Sequence, residues 1–232
     1  MKTTLVTAFV PLSDYKVKSL DEYLIFAKPL LDLKMNKIIF TTGEIINKLK
    51  KKSDPYTFWV EIADELLVVP DNLLNLPQNR NPNKDTLDYL LLQNTKPIFL
   101  KRAIELDTYN SDSFIWIDFG ISHILNDANI LEKLNRSYSF NDKIIAAGIW
   151  QAPINIDIKN EVCWVFAGGI IGGKSPVILD FYNECMRQFD KNIESNFITW
   201  EVNVWYQVYL NRPDLFKLYQ SDHNESMILN FP

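Results

Sequence analysis

The sequence has few of the residues from which disulfide frameworks and metal clusters are built. It contains two cysteines and two histidines in 232 residues. Cys163 and Cys185 each lie within an apolar stretch, and neither has a CxxC partner or the spacing of a zinc site. The composition therefore excludes a disulfide scaffold and a zinc finger, and it predicts two reduced cysteines in the core.

Positive charge is also in deficit. The formal net charge is −5 and the pI is about 5.1, so the chain has no global field that would hold a nucleic acid or an anionic membrane. The one basic run, Lys48–Lys52, is predicted to end a helix, where cations offset the negative end of the helix dipole. We therefore expect no nucleic-acid partner.

Long apolar runs are missing as well. The apolar run at residues 1–12 is too short for a signal peptide. No later segment reaches the roughly 18 apolar residues that a membrane span needs. We therefore expect no transmembrane segment and a reducing, cytoplasmic compartment.

What the chain does contain is an alternation of apolar strands and helical patterns, which is typical of a mainly parallel sheet flanked by helices. Its length suits a single α/β domain. Ser19 and Glu22 have the spacing of a capping box and predict a helix start. The predicted elements are strands at residues 4–10, 37–42, 56–62 and 162–166, helices at 44–52, 85–94 and 97–106, and a long Asn- and Pro-rich surface loop at 71–84.

A carboxylate follows the most apolar of the predicted strands. Residues 114–118 read FIWID, and ligands of open α/β sheets bind beyond the carboxyl ends of strands, so Asp118 is the leading site residue. Asp118 could instead cap the following turn. The two histidines, His123 and His223, also lie near predicted strand ends. A carboxylate and an imidazole suit Mn²⁺, although both histidines could be ordinary surface or core residues.

Glycine is scarce, yet four of the seven glycines fall within AGGIIGG at residues 167–173. We interpret this segment as a loop that lies close to a ligand. Gly168–Ser175 also fits the Walker A pattern GxxxxGK[ST]. Pro176, however, disfavours helical backbone at Ser175, so we predict Ser175 as the N-cap of a helix with Pro176 at its first position. A P-loop ATPase or kinase stays an alternative.

Three segments, in this order, carry a family resemblance: TLVTAFV at residues 4–10, FIWIDFGI at 114–121 and FAGGIIGG at 166–173. They resemble the HtrL/YibB-type proteins and, more broadly, the GT-A nucleotide-sugar-dependent glycosyltransferases. The resemblance implies a Rossmann-like GT-A fold. It also implies transfer of a sugar from a nucleotide-sugar donor, with UDP-sugar the expected type, to a glycan or other acceptor.

The resemblance assigns a donor site. It places Thr7, Ala8 and Phe9 against the nucleotide base. Asp118 is the carboxylate that remains of a DxD motif, since the motif here reads Asp-Phe-Gly. Asp118 and His223 would then hold Mn²⁺ or Mg²⁺, which would neutralise the leaving diphosphate.

The resemblance also assigns residues around the transferred sugar. Gly168 and Gly169 would border the sugar, and Glu201 would be the general base for the acceptor, although it could simply favour a helix N-terminus. Lys101 and Arg102 would lie near the donor phosphates or else face solvent. The aromatic residues at helical spacing that follow are expected in the core rather than in a sugar platform: Trp200, Trp205, Tyr206 and Tyr209.

Two functions compete with glycosyl transfer. One is the P-loop ATPase or kinase, which would bind ATP. The other is a catalytically silent carbohydrate-binding protein with the same fold, because the second carboxylate of the DxD motif is missing. The sequence specifies neither the acceptor nor the oligomeric state.

Overall fold

The computed structural model describes residues 2–14, 16–50, 54–63, 66–69 and 74–232. Its strands are β1 (Thr3–Phe9), β2 (Lys37–Thr41), β3 (Thr57–Glu61), β4 (Ser113–Ile117), β5 (Ile144–Gly148), β6 (Phe166–Lys174) and β7 (Phe216–Gln220). Its α-helices are α1 (Leu20–Asp32), α2 (Gly43–Leu49), α3 (Leu87–Asn94), α4 (Lys96–Leu106), α5 (Ser175–Glu194), α6 (Glu201–Asn211) and α7 (Ser226–Leu229).

The described strands form one seven-stranded sheet in the order β3-β2-β1-β4-β6-β5-β7. All pairs are parallel except those that β6 makes with β4 and β5. The predicted class, an α/β fold with a mainly parallel sheet flanked by helices, is therefore confirmed. β5 was not predicted from the sequence, although its five residues are all buried.

The strand that leads to Asp118 is buried on both faces of the sheet. Phe114 and Trp116 pack into one hydrophobic core, and Ile115 and Ile117 pack into a second core on the other side. A strand with helices on both sides needs apolar residues at every position, so the unbroken apolar run at residues 114–117 correctly indicated a buried strand. The carboxylate that follows is thereby held at the sheet edge.

Helix α1 begins where the sequence predicts. The Glu22 N–H donates to Ser19 Oγ at 3.3 Å, and the Ser19 N–H donates to Glu22 Oε2 at 2.7 Å. This reciprocal capping box fixes the end of the loop between β1 and α1. The loop therefore leaves the sheet edge at a defined point.

The glycine-rich segment is a strand, so the predicted loop and the predicted strand at residues 162–166 are both wrong. β6 begins at Phe166, and none of the described glycines has a positive φ. The glycines are there because side chains pack closely on the strand. A Cβ at Gly168 would lie 2.3 Å from Glu201 Oε1, and a Cβ at Gly169 would lie 2.9 Å from Ile121 Cδ1.

This strand also excludes the Walker alternative. β6 pairs with β4 on one side and β5 on the other, so its backbone groups are engaged in the sheet and cannot cradle a phosphate. Ser175 is the first residue of α5, and the N-cap is Lys174 instead of the predicted Ser175. The chain is not a P-loop protein.

A first prediction follows for Lys174, the residue that a Walker motif would place on phosphate. Lys174 pairs in register with Ser113, at the opposite end of β4 from Asp118, which is a separation of about 16 Å along the strand. Its ammonium contacts Asp142 Oδ1 at 2.8 Å. Lys174→Ala should therefore leave nucleotide affinity within about twofold of wild type, since charges at this range are screened. Calorimetric titration checks this, and a loss of ATP binding would contradict it.

Several smaller expectations can be compared with the structure. Cys163 and Cys185 are free and buried, as predicted. Lys48 lies in the last turn of α2, whereas Lys51 and Lys52 of the basic run lie outside the described residues, as do residues 71–73 of the predicted loop. In the described ranges, no helix is both long enough and apolar enough to cross a membrane.

Candidate functional site

A cavity of about 340 Å³ opens at the carboxyl ends of β1 and β4. The chain continues from β1 to β2 and β3 on one side of β1 and later places β4 on its other side. This is a topological switch point, where open α/β sheets bind ligands. The lining residues are Ala8, Phe9, Val10, Pro11, Leu12, Lys18, Ser19, Leu20, Tyr23, Lys84, Tyr89, Leu92, Gln93, Lys96, Trp116, Asp118, Phe119, Gly120 and His123.

Aromatic rings form one wall of the cavity. Phe9, at the end of β1, stacks on Phe119 with ring centroids 4.9 Å apart and an interplanar angle of 17°. Tyr23 from α1 lies 5.1 Å from Phe9. Phe9 and Phe119 are almost fully buried and Tyr23 is partly exposed, so the wall is apolar and Tyr23 is the most accessible of its three rings.

The cavity is positively charged although the whole chain is negative. Its lining residues include the three lysines Lys18, Lys84 and Lys96 but a single carboxylate, Asp118, and Lys96 also pairs with Glu201 behind the lining, so Lys18 and Lys84 are the cations in excess at the cavity. Clefts with low-dielectric walls concentrate the field of such charges. The cavity therefore favours anions.

Two of these lysines are held by adjoining loops. The Lys16 N–H donates to the Asn83 carbonyl at 3.0 Å, which joins the loop after β1 to the loop before α3. Lys18 Nζ lies 5.2 Å from the Phe26 ring centroid, and Lys84 Nζ lies 5.5 Å from that of Tyr89.

Neither Lys18 nor Lys84 forms an ion pair with a described carboxylate. Burial and, next, repulsion by Lys84 lower the pKa of Lys18. Two cations thus lie near each other at the cavity, and the carboxylate of Glu22 attracts Lys18 without forming an ion pair with it.

The third lysine is buried and has three acceptors. Lys96 Nζ lies 2.8 Å from Glu201 Oε1, 3.0 Å from Asp118 Oδ1 and 3.0 Å from the Gly168 carbonyl. Only 3% of the Lys96 side chain is exposed. Burial opposes its charged form, but the carboxylates of Asp118 and Glu201 outweigh burial, and the pKa of Lys96 is raised. The ammonium is therefore a fixed positive charge.

Asp118 is partly bound and partly open. Its Oδ1 accepts hydrogen bonds from Trp116 Nε1 at 2.8 Å and from Lys96. Its backbone N–H donates to the Gly169 carbonyl at 3.0 Å. Its Oδ2 has no hydrogen-bond partner among the described residues, and 37% of the side chain is exposed. Asp118 can therefore present one carboxylate oxygen to a bound molecule.

The residues predicted from the sequence divide into groups. Ala8 and Phe9 line the cavity, as Asp118 does. Thr7 is buried, is not a lining residue, and has an Oγ1 without a hydrogen-bond partner. Gly168 and Gly169 lie behind Asp118, where their carbonyls accept from Lys96 and from the Asp118 N–H.

Glu201 and the predicted helical aromatics lie in the interior. The Glu201 side chain is 9% exposed and is bound to Lys96. It is the first residue of α6. The aromatic residues Trp200, Trp205 and Tyr206 belong to the hydrophobic core, as expected, and Tyr209 packs against it.

Lys101 and Arg102 do not reach the cavity. Both pair with Glu105 on their own helix, and neither lines the cavity. They lie five and six residues after Lys96, which is more than one turn of α4 and a different face of the helix. Of the cations on α4, it is Lys96 that lines the cavity.

Of the predicted metal pair, Asp118 lines the cavity, whereas His223 does not. Its ring contacts Trp164 edge-on at 4.2 Å, and burial lowers its pKa. His123 does line the cavity, with Nδ1 2.7 Å from the Gly120 carbonyl. Within the ranges that the structure describes, no three His, Cys, Asp or Glu residues form a group that could hold a metal ion.

Sequence reasoning missed Lys18, Lys84 and Lys96. Lysine is rarely buried, so nothing marks Lys96 beyond its position before Pro97 at a helix start. Lys18 immediately precedes the capping box, in the segment that connects β1 to α1, and a cation in that segment was an available signal. Lys84 joins the site through tertiary contact between two loops.

Comparison with known proteins agrees on a family. The family described as "Bacterial protein of unknown function (HtrL_YibB)" matches residues 61–229. Protein HtrL of Escherichia coli (strain K12) is 21% identical over 249 residues, which cover 93% of this chain and 87% of that protein.

Among solved structures, 4-diphosphocytidyl-2C-methyl-D-erythritolsynthase from Anaerococcus prevotii DSM 20548 is similar with a TM-score of 0.47 and 12% sequence identity. The alignment covers 95% of this chain and 87% of that chain.

Proposed function

The chain belongs to the HtrL_YibB family, and from that premise and the site geometry we propose that it is a glycosyltransferase that uses a nucleotide-sugar donor, with a UDP-sugar as the expected type. The observation that supports this most is the cationic, aromatic-walled cavity at the switch point between β1 and β4. A nucleotide-sugar combines a planar base, a diphosphate and a sugar. The cavity offers a surface for each of these.

Each part of the donor has a matching surface. The base packs near Ala8 and Phe9, where the aromatic wall begins. The diphosphate lies near Lys18 and Lys84. The sugar then lies towards Asp118, whose Oδ2 can accept a hydrogen bond from a hydroxyl.

The reaction joins the donor sugar to a glycan or other acceptor. The bond between the anomeric carbon and the diphosphate oxygen breaks, and its electron pair stays on that oxygen. The acceptor hydroxyl oxygen bonds to the anomeric carbon and gives up its proton. Asp118 is the carboxylate that lines the cavity and can receive that proton, a role for which the sequence suggested Glu201.

We assign Glu201 to positioning instead. Its Oε1 is bound to Lys96 and its side chain is almost fully enclosed. By holding Lys96, it fixes the cation against which Asp118 Oδ1 rests. Its effect on the reaction is thus exerted through Asp118.

Ligand binding tests the proposal. In calorimetric titration we expect UDP and at least one UDP-sugar to bind with a Kd of about 1 mM or tighter, the usual range for enzyme substrates, and ATP to bind more weakly. Thermal shift across a wider panel of nucleotide-sugars ranks the donors, because a ligand of the native state raises stability. Failure of every nucleotide-sugar to bind would reject the proposal.

A catalytically silent carbohydrate-binding protein is the remaining alternative, because the second carboxylate of the DxD motif is missing. Such a protein would bind sugars without releasing UDP from a donor. Release of UDP from a bound UDP-sugar in the presence of a mixture of glycans, measured by a coupled assay, therefore separates the two functions.

A further inference from the structure

The lysines that line the cavity could bind a diphosphate without the metal ion that the sequence led us to expect. We infer that Lys18 and Lys84 bind the donor diphosphate directly and that this binding requires no divalent cation. Lys96 supplies the fixed positive charge next to Asp118 that a metal ion would otherwise provide. The inference rests on the nucleotide-sugar proposal for the identity of the anion.

The charge of Asp118 is already offset by a lysine of the protein. A divalent ion binds best where several carboxylates or imidazoles converge. Here Asp118 is already paired with the Lys96 ammonium at 3.0 Å, so its charge is offset inside the protein. A cation on Oδ2 would have to approach close to that ammonium and would be repelled by it.

Lys96 also cannot easily withdraw to make room. Its three acceptors come from Asp118, Glu201 and the Gly168 carbonyl, on three different parts of the fold. Removing the ammonium would leave the enclosed carboxylate of Glu201 without this partner, which is strongly unfavourable for a buried charge.

The state of Lys18 and Lys84 supports the same inference. Neither ammonium group forms an ion pair with a described carboxylate, although Glu22 attracts Lys18, and both line the cavity from loops that are joined by the Lys16–Asn83 hydrogen bond. The lowered pKa of Lys18, caused by burial and then by Lys84, agrees with two cations that repel each other. A diphosphate between them would relieve that repulsion and gain charge-assisted hydrogen bonds.

These lysines would also act during the reaction. As the donor bond breaks, negative charge grows on the diphosphate oxygen. Preorganised cations stabilise such charge in an enclosed site without reorganising. Lys18 and Lys84 thereby neutralise the leaving diphosphate through charge and hydrogen bonds, which is the effect that the sequence analysis expected of Mn²⁺ or Mg²⁺.

Calorimetric titration of UDP into the protein, in EDTA and in Mn²⁺ or Mg²⁺, tests the inference. We expect the Kd to agree within about twofold between these conditions. We expect Lys18→Ala and Lys84→Ala each to weaken UDP binding about tenfold, which is the scale of one charge-assisted hydrogen bond. A loss of more than tenfold in EDTA that Mn²⁺ restores would overturn the inference and return the metal site to Asp118.

Lys101→Ala is the matched control, since it removes a lysine that faces away from the cavity on α4. It should leave the UDP Kd within about twofold, because a surface charge at that distance is screened. Equal losses in Lys101→Ala and Lys18→Ala would show a general charge effect and would reject a lysine site.

Inorganic pyrophosphate separates this inference from the proposed function. If UDP does not bind but pyrophosphate binds and depends on Lys18 and Lys84, the anion site is supported and the nucleotide-sugar function is not. If UDP binds and the Lys18→Ala and Lys84→Ala variants bind it as tightly as wild type does, the function is supported and the lysine site is not. If neither ligand binds, the inference is overturned.

Discussion

Replacing Lys96 by Met is expected to lower the free energy of unfolding by about 3–5 kcal/mol, the usual cost of removing one partner of a buried ion pair. Met preserves much of the side-chain volume but not the charge. Glu201, which is enclosed, and Asp118 would both lose this cation, and the Gly168 carbonyl would lose a donor. Urea denaturation followed by circular dichroism measures the change.

A double variant shows whether charge is the cause. Lys96→Met combined with Glu201→Gln removes the enclosed negative charge as well, so it should recover part of the stability lost in Lys96→Met. Lys101→Met is the matched control for an exposed lysine of the same helix and should change the free energy of unfolding by less than about 1 kcal/mol. If Lys96→Met also lowered the free energy of unfolding by less than about 1 kcal/mol, the buried ion pairs of Lys96 would not hold this part of the protein together.

The second large effect is expected on turnover. Asp118→Asn should lower the rate of sugar transfer by about 100-fold or more, the scale of general acid–base catalysis. UDP affinity should be unchanged or slightly tighter, because the substitution removes a negative charge from a cavity that binds an anion. Steady-state release of UDP and calorimetry separate the two quantities.

Asp142→Asn is the matched control for this variant. Asp142 is an exposed carboxylate that pairs with Lys174, away from the cavity. Its turnover should equal that of wild type. If Asp118→Asn retained full turnover while Asp142→Asn did too, Asp118 would have no part in the chemistry.

The sequence predicted those parts of the fold that depend on local pattern. The capping box at Ser19 and Glu22 and the buried strand before Asp118 are determined by neighbours in the chain, and both were found where expected. The prediction that Asp118 lies at the carboxyl edge of the sheet, where the cavity opens, then followed from a general rule for parallel sheets. These features carried the prediction of the fold class and of the candidate site.

The features that the sequence did not predict depend on contacts between distant residues. Gly168 is a glycine because Glu201, more than thirty residues later in the chain, packs on β6, so the pattern could not distinguish a crowded strand from a ligand loop. Lys96 is buried because Asp118 and Glu201 both reach it. Such contacts are visible only once the chain is folded. For this reason the sequence indicated Lys101 and Arg102 and did not indicate Lys96, which lines the cavity.

A crystal structure of the protein with UDP bound is the most direct test of whether Lys18 and Lys84 hold a nucleotide in this cavity. We expect the nucleotide in the cavity between β1 and β4, with the uracil near Phe9 and diphosphate oxygens within hydrogen-bond distance, about 3 Å, of Lys18 and Lys84. UDP bound at any other surface, or held in this cavity without contact to either lysine, would contradict this expectation.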